Sequence, residues 1–159
     1  MAKSDAIERF RTAAATSGVH VEPVRYPAGT KTAADAARAI GCDVAQIVKS
    51  LVFLAGDEPV LALTSGANRV DTHKLGALVG TEVRRANADE VRAATGFAIG
   101  GTPPFGHPAP VRTFLDPVLA AFDEVWAAAG TPDSVFCLRV EALRRATGAT
   151  VADFAEHDG

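Results

Sequence analysis

The sequence predicts an α+β protein with a mixed, mostly antiparallel sheet flanked by helices. Three observations carry that expectation. Apolar runs meet at Gly56-Asp57-Glu58-Pro59 within QIVKSLVFLAGDEPVLALTSG, and two others, EVWAAAG and SVFCLRV, meet at GTPDS, so strands adjoin through tight connections. Single stretches of helical spacing, opened by a capping residue or closed by a glycine, separate the strands. No repeat, low-complexity linker or domain boundary divides the 159 residues, so one domain over 1–159 is expected, large enough to bury a core without disulfide or metal staples.

In chain order, Ser4 to Ser17 has helical spacing, with Ile7 and Phe10 three apart and Gly18 as its stop. HVEPVRYP reads as a short strand, and Pro23 favours a sheet edge. Thr32, with Asp35 three residues on, opens the helix AADAARAI as a capping box in which Asp stands for the usual Glu or Gln, and Gly41 closes it. After the first strand pair, Asp71 caps THKLGALV, which ends at Gly80. TEVRRA reads as a strand and Asn87 caps ADEVRAATG. FAIGGTPPFGHPAPVRTFLD reads as a short strand, a Gly- and Pro-rich loop, and a second strand ending near Asp116. The helix EALRRATG and a short strand ATVADF follow the second strand pair.

Composition narrows the functional classes. With 48% hydrophobic and 22% charged residues the chain is an ordinary soluble globular protein, and no run of about 18 apolar residues suggests a membrane span. Asp5 and Glu8 interrupt the segment where a signal peptide needs an apolar core, so a cytoplasmic location is the expectation. The net charge of −3 argues against a protein coated in positive charge to grip long nucleic acid, although Arg69, His73 and Lys74, or Arg84 and Arg85, could form small basic patches. Cys42 and Cys137 form no CxxC, and Cys137 reads as a small buried hydrophobe. His20, His73, His107 and His157 have no metal-ligand spacing, and there is no GxSxG elbow, P-loop or GxGxxG, so neither metal nor cofactor is expected.

Two features resist a purely structural explanation. Lys49 shares a strand face with Ile47, Leu51 and Phe53, while Val48, Val52 and Leu54 take the other face, so an ammonium sits where neither side suits water. Either its stem carries the charge to an edge or to an acid such as Asp71 or Asp116, or the charge does chemistry. The loop Ile99 to Pro108 combines glycines that permit close backbone approach with prolines that stiffen it. It could merely connect strands, or aim main-chain N–H groups at an anion or a developing oxyanion.

Taken together, VAQIVKSLVF, TSGANRVDTHKLGALVG, TGFAIGGTPPFGH, TFLD and AAAG resemble, in this order, the YbaK/ProX family of aminoacyl-tRNA deacylases, related to the editing insertion of bacterial prolyl-tRNA synthetases. The resemblance runs from the strand with Tyr26 to near the C-terminus. It implies a sheet coiled toward a barrel and hydrolysis of the aminoacyl ester of mischarged tRNA, such as Ala- or Cys-tRNA for proline. Lys49 matches the family's catalytic lysine, and Gly100 with Pro104 matches its GxxxP loop, which holds the terminal adenosine and aminoacyl ester. The resemblance likewise makes Tyr26, Ser50, Gly101, Thr102 and His107 candidate substrate contacts, with Ser50 standing where the family has Ser, Thr or Asn. The implied partners are the aminoacyl-tRNA acceptor end, with Arg69, Lys74 or Arg84 near its phosphates, and an aminoacyl-tRNA synthetase; neither DNA nor a membrane is implied. Cysteine-clearing members share a basic GKRG turn where this chain has GTPDS, with Ala128 in place of a preceding Ser, and His107 and Pro108 replace basic residues after the loop. The alternative is a non-catalytic module for an aminoacyl or adenosine-like ligand, or an adaptor to a synthetase.

Overall fold

The protein is described by a computed structural model covering residues 3–26 and 32–157. Six α-helices and eight strands alternate along it: α1 (Lys3–Thr16), β1 (Val24–Arg25), α2 (Ala33–Ile40), β2 (Ile47–Ala55), β3 (Glu58–Ser65), α3 (Thr72–Val79), β4 (Arg84–Arg85), α4 (Ala88–Thr95), β5 (Arg112–Leu115), α5 (Pro117–Ala120), β6 (Glu124–Ala128), β7 (Ser134–Arg139), α6 (Val140–Thr147) and β8 (Thr150–Val151). Local chemistry explains most helix ends. The Thr32 hydroxyl accepts from the Asp35 N–H, Asp71 from His73 and Lys74, and Asn87 with Glu90 forms a reciprocal capping box.

The strands form one sheet in the order β1-β7-β6-β2-β3-β5-β8. Four strand pairings are antiparallel, including the long β2–β3 hairpin, and β2–β6, β3–β5 and β5–β8 are parallel. The sheet is thus mixed and mostly antiparallel, as predicted. Its end strands β1 and β8 do not pair among the described residues, so it stays open.

Alternation along the hairpin divides the core. Val48, Val52, Leu54, Leu61 and Leu63 face one side, where Phe10, Val91 and Leu143 of α1, α4 and α6 cover them. Phe53, Val60 and Ala62 face the other and pack against Leu75 of α3, with Phe154, while Ile47 meets Ala36 and Ala37 of α2. Phe10, Phe105 and Phe136 interlock with ring centroids 4.9 to 6.2 Å apart. Each buried ring stabilises by roughly 1.5–3 kcal/mol, and Phe105 thereby pins the Gly- and Pro-rich loop into the core.

Several local expectations are corrected. Glu58 and Pro59 belong to β3, leaving a two-residue turn at Gly56-Asp57; β5 begins its register only at Val60, so the proline lies beyond the part of that edge it covers. Phe97–Ile99 is not a strand: the Phe97 N–H, which a ladder would need, bonds the Thr95 hydroxyl, whose own proton goes to the Val91 carbonyl at 2.8 Å. In TEVRRA only Arg84–Arg85 pairs, and in ATVADF only Thr150–Val151. The short helix α5 was not expected. Cys137 is half-buried, and its thiol, donating to Glu124, is pushed up to about 12 by burial and then by that carboxylate.

Candidate active site

The site lies where β2 runs short of neighbours. On the edge away from β3, β6 is registered only with Ile47 and Val48, and β4 only with Phe53 and Leu54. Between them, apart from the Ala86 N–H on the Val52 carbonyl, no strand lies alongside among the described residues. Here a cavity of about 610 Å³ opens, walled by Ile47 to Val52, the 66–69 turn, the first turn of α2, the Ile99–Gly100 rim with Thr102, and Trp126 to Ala128.

Lys49 projects into this cavity. Its ammonium donates to the Asn68 carbonyl, and neither Asp71 nor Asp116 pairs with it directly. Burial lowers its pKa from the usual lysine value, the Arg85 and Arg69 guanidiniums lower it further, and Asp116 opposes them. Lys49, Arg69 and Arg85 line the cavity, and no acid does so among the described residues. A weakly acidic protein therefore carries a cationic pocket.

The turn that receives Lys49 is held from below. Asp116 is buried, and its carboxylate accepts from the Ser65 N–H at 3.0 Å, the Asn68 side-chain amide at 2.9 Å and the Val118 N–H at 2.9 Å. One residue thus caps α5 and fixes Asn68. From the far side residues 154–156 lace the same turn, with Val70 bridged to Ala155, the Asp71 N–H on the Phe154 carbonyl and the Glu156 N–H on the Arg69 carbonyl. Asn68, Asp116, Arg85 and Trp126 escaped the sequence reading as site residues. In the sequence Asp116 reads as a strand end and as an ion-pair partner for Lys49, not as the anchor of this turn.

The predicted contacts divide. Lys49, Ser50, Gly100 and Thr102 meet around the cavity. Pro104 and His107 line a different hollow, walled by α1, α6 and residues 104–113, with the core residue Phe105 between them in the chain. His107 donates to the Pro103 carbonyl at 2.8 Å; its pKa is lowered by burial, which that bond opposes. Tyr26 ends the edge strand with its N–H on the Asp133 carbonyl and is not among the lining residues. Gly101 is buried against the Thr131–Pro132 backbone, where a Cβ would come within 2.7 Å of main-chain atoms. Of the basic residues expected near phosphates, Lys74 is engaged by Asp153 and the Ala155 carbonyl and Arg84 by Glu90, whereas Arg69 reaches the cavity.

Gly101→Val is accordingly expected to act through packing. The side chain must displace the 131–132 turn or the loop rim, costing about 1–3 kcal/mol and collapsing activity with it. Thermal unfolding checks this: an unchanged midpoint with lost activity would mean instead that the glycine serves ligand approach.

A model of the aminoacyl-tRNA editing domain family matches residues 27–146. The protein YwhH of Bacillus subtilis (strain 168) is 32% identical over 119 residues, which are 74% of this chain and 76% of that one. A proline--tRNA ligase of Lactobacillus gasseri is 45% identical over 62 residues, 38% of this chain; the match spans only 11% of the ligase. A crystal structure of a protein proposed as a trans-editing enzyme for prolyl tRNA synthetase superposes with a TM-score of 0.91 at 47% identity, over 96% of this chain and 98% of that one. Cationic cavity, half-buried lysine and these likenesses converge: the chain belongs to the aminoacyl-tRNA editing domain family.

Proposed function

We propose that this protein hydrolyses, in trans, the ester joining a small amino acid such as alanine or cysteine to the terminal adenosine of a mischarged tRNA, with tRNA for proline as the first expectation. The observation that carries the reading is a half-buried ammonium in a cavity whose lining holds three cations and no acid among the described residues. Such a site favours developing negative charge, and removal from water strengthens the effect.

The chemistry follows from that field. A water, or the neighbouring ribose hydroxyl of the substrate, adds to the ester carbonyl; Lys49 stabilises the oxyanion that forms. The carbonyl then re-forms as the ribose oxygen leaves with a proton. With water as the attacking group, free amino acid and uncharged tRNA result directly; with the ribose hydroxyl, the acyl group moves to that oxygen and water completes the hydrolysis. No protein nucleophile is required. In this reading Arg69 and Arg85, which line the cavity, take the phosphates next to the terminal adenosine, and Val48, Val52, Val91 and Ala127 form an apolar lining for a small side chain. With so few cations at the site, selection of a whole tRNA is either loose or falls to a partner synthetase in the cytoplasm.

The test is a panel of mischarged tRNAs with purified protein. Rapid release of alanine or cysteine, with correctly charged prolyl-tRNA spared, is expected. No release from any ester above the uncatalysed rate would sink the reading.

A further inference from the structure

The gap in the sheet leaves one residue short of partners. The two-residue turn at Gly56-Asp57 and the Gly66 N–H on the Ile47 carbonyl set the pairing phase of β2. Odd-numbered residues turn their main-chain groups to β3, even-numbered ones to the opposite edge. At that edge Val48 is registered with Ala127, and the Val52 carbonyl accepts from the Ala86 N–H at 3.0 Å. Ser50 lies between them with no strand residue opposite. Its hydroxyl is also the one buried side-chain polar atom without a partner among the described residues. The main-chain N–H and carbonyl of Ser50 thus face the gap, while its hydroxyl lies buried and unpartnered in the cavity wall beside them.

Unmade hydrogen bonds of this kind cost folding free energy unless a ligand completes them. The position of Ser50 says which part of the ligand does so. It adjoins Lys49, and its side chain shares a sheet face with Val48 and Val52, the apolar end of the cavity. A substrate whose ester carbonyl meets Lys49 and whose side chain enters that end must direct its α-amino group to the wall between them. No carboxylate lines the cavity among the described residues, so neutral acceptors must hold that amine.

We propose that Ser50 is the specificity-determining contact for the α-amino group of the aminoacyl ester, accepting its N–H bonds on the main-chain carbonyl and on the hydroxyl. The inference rests on the deacylase reading and adds what the site recognises. It makes the enzyme selective for α-amino acyl esters over simple carboxylic esters of the same size.

The experiment compares an alanyl ester and a propionyl ester on the same tRNA, the second keeping the carbon skeleton and lacking the amine. Both are measured with the wild-type protein and with Ser50→Ala. Intrinsic ester reactivity cancels in the ratio of ratios. Ser50→Ala should lower kcat/KM for the alanyl ester about tenfold, the loss of one hydrogen bond, with the propionyl ester changed less than twofold. Its thermal stability should equal or exceed wild type, since no protein bond is lost. An equal effect on both esters, no effect on either, or a destabilised variant overturns the assignment while leaving the deacylase reading standing. Failure of the wild type to cleave either ester overturns both.

Discussion

Lys49→Ala is expected to cut deacylation at least about 100-fold, the scale on which removing one oxyanion-stabilising donor acts, while leaving a folded protein. The stability side has a sign that can be worked out. Burial and the neighbouring Arg85 and Arg69 hold the folded-state pKa of this ammonium below the unfolded value of 10.5. Below the folded value both states are protonated and the penalty on the buried charge is fully present; as pH rises through the window up to 10.5 the penalty is relieved. Alanine removes that penalty and loses the bond to Asn68, so at neutral pH the variant should be no less stable than wild type. Its advantage should shrink as pH climbs toward 10.5. Thermal melts across pH, alongside single-turnover deacylation, read both quantities. An unfolded variant would mean that Lys49 serves the fold, and one that retains activity would remove it from the chemistry.

Asp116→Ala should be costly in a different way. The carboxylate satisfies the Ser65 N–H, the Asn68 amide and the cap of α5 from a fully buried position. Deleting it strands buried donors and a helix end, a loss of about 3 kcal/mol, or about 6–12 °C in the unfolding midpoint. Activity should fall more than tenfold even where the protein is folded, since Asn68 loses its anchor and Lys49 the one nearby carboxylate that favours its charge. Asp116→Asn, which keeps the volume and one acceptor, should recover part of both. If it recovers stability and activity stays at the alanine level, the negative charge is what the site needs. Wild-type stability in the alanine variant would remove the network described around Asn68.

What the sequence made legible was local. Thr32, Asp71 and Asn87 act within a few residues of themselves, so their caps could be read without knowing the fold. The alternation through Lys49 marked both a buried hairpin and an odd charge. The Gly-Pro loop was noticed for its composition, but composition does not say which way a loop turns. Phe105, an unremarkable apolar residue in the string, decides that Thr102 faces the cavity and His107 does not. Asp116 looked like a strand end, because its partners Ser65 and Asn68 lie far back in the chain. The gap beside Ser50 was invisible for a related reason: it exists only because β6 stops at Val48 and β4 starts at Phe53.

Residues 154–156, which lace the Asn68–Asp71 turn, follow the hairpin by more than half of the chain's length. During synthesis the Lys49 strand and its partner can pair early, since their contacts are close in sequence. The turn that orients the ammonium acquires its outer brace only when the late segment arrives. A nascent chain can thus own a sheet before it owns a competent pocket, and the step from folded to active belongs to the last contacts formed.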